Sequence, residues 1–159
     1  MPKLKSVIVI MFLLISSAHA ADWRKQGSKD EQLANLVKLV PGTSHWMAEI
    51  GSRYQNLYWA GKLGHWEFAQ YQVEEIDKMI KTVQLARPKR AATAQEFLDK
   101  AIPAISKGVE SKDWKQFEAS FAKMHGACME CHGKNDHAFV TLPLKPATAN
   151  SPVLNLPAK

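Results

Sequence analysis

The absences in this 159-residue chain are informative. It has only two cysteines, so whatever that pair does, no third thiol is left for another use. No stretch alternates apolar and polar residues as a strand does, so the βαβ setting of a thioredoxin-like redox disulfide is missing. No cluster of Lys and Arg resembles a nucleic-acid patch. The densest basic stretch, Arg87-Pro88-Lys89-Arg90, reads as a solvated loop. No nucleophile–base set and no paired carboxylates stand out, which argues against an enzyme. The longest apolar run, Val7 to Ile15, falls short of the ~20 residues of a transmembrane helix.

That short run has its own meaning. Lys3 and Lys5 precede it, and Ala18-His19-Ala20 follows as an A-x-A cleavage site, which together form an export signal. The expected mature chain starts at Ala21 and is soluble and exported. Cleavage after Ala20 removes two lysines and no acid, leaving 19 basic residues against 15 acidic ones, so the net charge falls from +6 to +4. Residues 21–159 are long enough for one domain with a single core.

From Asp30 the pattern is helical. Leu33, Leu36, Val37 and Val40 share one side of a short helix, which Pro41-Gly42 ends. Thr43 or Ser44 is placed to cap a second helix, whose stripe is Met47, Ile50, Tyr54, Leu57 and Gly61. After the Gly61-Lys62-Leu63-Gly64 break, a third helix runs from His65-Trp66 towards Leu85, with Trp66, Ala69, Val73, Ile76 and Ile80 inward. Pro88 stops it. Thr93 to Glu96 fits a capping box for a fourth helix, built on Phe97, Ala101, Ala104 and Ile105. Pro103 predicts a kink or break within it, and residues 108–111 a turn. The last helix, capped by Asp113, carries Trp114, Phe117, Phe121, Met124, Cys128 and Cys131 at steps of three and four and ends at Gly133. Two helix–turn–helix halves result, each with a Trp opening its second helix. The fold expected is all-α, an antiparallel four-helix bundle with a short extra N-terminal helix and, from about residue 138, an extended proline-rich tail.

The last stripe runs into Cys128-Met129-Glu130-Cys131-His132, the C-x-x-C-H attachment signature of a c-type haem. Positions i, i+3 and i+4 share a helix face, so both sulfurs and the imidazole point the same way. Two thiols three residues apart can each bond a vinyl-derived carbon of one porphyrin. The adjoining imidazole can then give its nitrogen to iron as proximal ligand. The pentapeptide also admits zinc, with His125 or His137 beside Cys128, Cys131 and His132. The export signal favours haem, which is attached to this motif outside the bacterial cytoplasm. Two propionates would bring the mature charge to about +2.

A helical bundle with C-x-x-C-H on its C-terminal helix resembles the class II cytochromes c, the cytochrome c′ group. Met47-Ala-Glu-Ile-Gly-Ser-Arg53, Leu57-Tyr-Trp-Ala-Gly61 and Trp66-Glu-Phe-Ala-Gln-Tyr71 are also similar to a set of small exported haem proteins. The class often has an aromatic and then an Arg shortly after the motif His, where this chain has Asn135 and Asp136. The resemblance implies one covalent haem c, a first long helix facing its open side and, in low-spin members, a methionine as sixth ligand. Met47 is the matching residue. His45 is turned about 200° from it around the helix, and His125 lies one turn before the motif. Two functions follow. A methionine-ligated iron suits periplasmic electron transport between redox partner proteins. A five-coordinate iron binds a small gas, nitric oxide or carbon monoxide. Relatives of the class form homodimers through helix faces not used for haem.

Overall fold

A computed structural model describes residues 22–148. The expected signal peptide and residues 149–159 lie outside the described residues. The chain divides into two compact units, one up to Val40 and one from Pro41.

In the first unit a 3₁₀ turn, Trp23–Lys25, precedes helix α1, Lys29–Leu39. Ser28 accepts from the Glu31 N–H, and the Glu31 carboxylate accepts from the Ser28 N–H at 2.7 Å. This reciprocal pair sets the start of α1. Glu31 is held below the usual carboxylate range chiefly by that Ser28 backbone bond.

The second unit contains α2 (Thr43–Lys62), α3 (Trp66–Ala86), a 3₁₀ turn at Pro88–Arg90, α4 (Ala91–Glu110) and α5 (Trp114–Lys134). The described residues contain helices and no strand. Each of the four long helices packs on the next, and α2 also packs on α5. Neighbours run in opposite directions, as particular pairs show. Arg53 meets Glu75, Gln84 meets Gln95, and Glu96 meets Lys134 while Gly108 meets Ser120.

In the second unit the predicted stripes are largely the buried ones, whereas the expected stripe of α1 (Leu33, Leu36, Val37 and Val40) is exposed and no residue of that helix is buried. Tyr54 and Leu57 of α2, Val73 and Ile76 of α3, Ile105 of α4, and Phe117, Phe121 and Met124 of α5 are almost wholly enclosed. Tyr54 packs on Phe121 in a tilted pair with centroids 4.6 Å apart, and Trp66 and Trp114 both pack on Phe117. Gly61 is required by this packing, because a Cβ there would lie 2.3 Å from the Phe117 ring.

Several expectations at helix ends need correction. α4 begins at Ala91 rather than Thr93, whose hydroxyl instead donates to the Arg90 carbonyl. Glu96 turns away to pair with Lys134, so no capping box forms. Pro103 does not break α4. It sits on the solvent side, where water can satisfy the carbonyl that its missing N–H leaves free. Gly108 is helical and buried rather than part of a turn, since a Cβ there would press on Ser120. α2 is capped by Gly42, without a side-chain bond. α5, by contrast, starts as expected, with Asp113 accepting from the Gln116 N–H at 2.9 Å.

Candidate functional site

Helices α2 and α5 touch closely at Gly61 and Phe117. Between Thr43–Gly51 of α2 and Cys128–His132 of α5 lies instead a cavity of about 350 Å³. The end of α3 (Ile80, Val83) and the start of α4 (Thr93, Ala94, Phe97) supply its other walls. Cys128, Cys131, His132 and Met47, far apart in the chain, all line this one space. His45 is exposed and His125 is outside the lining. His137, which the sequence offered only as an alternative zinc ligand, does line it, as does Arg90.

Both thiols are free. Burial pushes the Cys128 thiol up to about 12, with neighbouring Cys131 adding to the effect. Burial raises Cys131 as well. At neutral pH both are therefore neutral thiols within the wall, unlike the lowered thiolates of redox cysteines. Asn135 Nδ2 donates to the Cys131 carbonyl at 2.8 Å and lies 3.6 Å from its sulfur.

The end of α5 explains the position of His132. Asp136 takes the left-handed conformation, φ 62°. The His137 N–H reaches the His132 carbonyl at 2.8 Å, and the Asp136 N–H reaches Gly133 at 3.3 Å. These two bonds make a Schellman ending, so the turn comes at Asp136 rather than Gly133. The chain folds back, and the Val140 carbonyl comes to 2.7 Å from His132 Nδ1. A carbonyl only accepts, so Nδ1 holds the proton and Nε2 keeps its lone pair. That is the tautomer and outer-shell bond of a metal-binding histidine.

The cavity mouth is cationic. α2 and α4 both begin there, at Thr43 and Ala91, with neither a side-chain cap nor an acid in the first turn. The N-terminal partial charge of α2 stays uncompensated, whereas α4 continues from the 3₁₀ turn and its Ala91 N–H already donates to the Pro88 carbonyl. The Arg90 guanidinium beside them has no hydrogen bond or ion pair among the described residues, and it draws the Cys131 pKa downward against the larger effect of burial.

These features fit a haem. Two thiols and a free imidazole nitrogen face a largely apolar space, and an unpartnered guanidinium stands where carboxylates could reach it. Gly51, in the α2 wall, adds an independent sign: a Cβ there would meet nothing within 4 Å. A mid-helix glycine costs about 1 kcal/mol relative to alanine, and no protein atom needs the room it leaves. A bare metal ion finds less, since no group of three or more His, Cys, Asp or Glu is gathered to hold one among the described residues. His125 instead donates through Nε2 to the Leu142 carbonyl at 3.0 Å.

No helix among the described residues is long and apolar enough to cross a membrane. Comparisons with known protein families, with curated proteins and with solved structures find no match.

Proposed function

We propose that this chain is an exported c-type cytochrome of the class II kind, carrying single electrons between protein partners in the periplasm. Cys128 and Cys131 hold the haem through thioether bonds, His132 Nε2 is the proximal iron ligand, and Met47 sulfur is the distal one. One observation supports this above the others. The three motif residues share a cavity with Met47, and the His132 proton is held on Nδ1 by Val140. Haem iron supplies one-electron exchange, and Met/His ligation favours its reduced form. The protein's part is to exclude water with apolar walls, to hold the imidazole proton away from iron, and to receive the propionates at Arg90 and the start of α2.

The open space at Gly51 favours a second reading. It leaves room beside Met47 for a diatomic gas at a five-coordinate iron. The ferrous absorption spectrum separates the two. Sharp low-spin bands unmoved by carbon monoxide are the expected result. A high-spin spectrum that shifts when the gas is added supports sequestration, and no haem bands at all overturns both.

A further inference from the structure

Residues 137–146 do more than trail from the last helix. They cross the seam between α2 and α5, and side chains from both helices bind their carbonyls. From α5, His132 takes Val140 and His125 takes Leu142. From α2, the Tyr54 hydroxyl donates to Pro143 at 2.9 Å and Trp59 Nε1 donates to Pro146 at 3.1 Å. Pro143 and Pro146 lack N–H groups and have fixed φ, which stiffens the end of the segment where the two α2 side chains bind its carbonyls. Pro146 is buried, and Lys145 pairs with Glu118 at 3.1 Å. Tyr54 itself is fully enclosed, and desolvation raises its pKa, so the hydroxyl remains a donor.

We infer that this segment is a positioning strap for the iron-binding imidazole, and that Tyr54 and Trp59 act through it on the reduction potential. The inference rests on the haem reading above. The Nδ1–H bond to Val140 makes the imidazole a stronger donor, which favours ferric iron and lowers the potential. Its length depends on where Val140 is held, and Val140 is three residues from the Tyr54 anchor and six from the Trp59 anchor. Neither side chain lines the cavity. They are positioning residues and not ligands.

The test is redox titration of the haem-loaded protein. Tyr54→Phe keeps the ring on Phe121 and removes only the hydroxyl; the midpoint potential should rise. Trp59→Phe should raise it less, its anchor being farther from Val140. Asp113→Ala, which removes the cap at the opposite end of α5, should lower the melting temperature and leave the potential in place. Loaded Tyr54→Phe and Trp59→Phe proteins that both titrate like the parent would overturn the strap. So would an equal shift in Asp113→Ala, which would mean general softening. A parent chain that carries no haem would instead sink the reading beneath it.

Discussion

Met47 and His132, 85 positions apart in the chain, reach one cavity from two helices. Replacing Met47 by Leu keeps the volume and removes the sulfur, so the fold should lose less than about 1.5 kcal/mol. The spectrum should change far more: the reduced protein becomes high-spin and binds carbon monoxide, and the potential falls. An unchanged low-spin spectrum in the variant would remove Met47 from the iron. Cys128, Cys131 and His132 were readable from the chain because their geometry is local, being fixed by one turn of helix. Met47 needed the resemblance to class II cytochromes, since a methionine on a buried stripe is ordinarily packing. Arg90 and His137 were not readable as cavity residues. Their position depends on which helix ends the bundle brings together, and no short-range spacing encodes that.

Among the elements, α2 and α4 carry residues that go against their own helices. Gly51 stands in mid-helix without a packing reason among the described residues. Gly51→Leu should relieve about 1 kcal/mol of intrinsic helix penalty. It should also lower the haem content of the exported protein, because the side chain enters the cavity. Haem content equal to the parent's would mean that the space there is incidental. Pro103 is the opposite case, a residue tolerated rather than used. Pro103→Ala should stabilise α4 by up to about 3 kcal/mol, read by denaturant unfolding, with the haem spectrum unaltered. The α4 stripe was correctly legible from Phe97, Ala101 and Ile105, but its limits were not. Thr93 and Glu96 match a capping pattern by type, while other partners take both side chains: the local Arg90 carbonyl and the distant Asn135 for Thr93, and Lys134 for Glu96. Gly108 looked like a turn residue and is in fact a contact point, a distinction that only the facing Ser120 makes.

For the molecule as a whole, the cavity sets the energetic problem. An apolar-walled space of about 350 Å³ keeps the facing ends of the long helices from packing on one another as closely as Gly61 and Phe117 do. The covalent group should therefore complete the core as well as carry the chemistry. A Cys128→Ser, Cys131→Ser chain should keep its helical far-ultraviolet signal but lose the sharp cooperative melt of the loaded protein. A melt as cooperative and as high as the parent's would show that the core closes without a cofactor. The periodicities predicted the all-helical fold because four long stripes leave few ways to bury themselves. The strap was beyond such reading: residues 137–146 have no period, and four of their carbonyls, those of Val140, Leu142, Pro143 and Pro146, are held by side chains outside the segment.

The most direct measurement is the intact mass of the protein recovered from the periplasm of a host able to mature c-type cytochromes. The account predicts a chain beginning at Ala21 that carries the added mass of one haem, retained after denaturation and lost when Cys128 and Cys131 are both replaced by Ser. An exported chain bearing two unmodified thiols would contradict it.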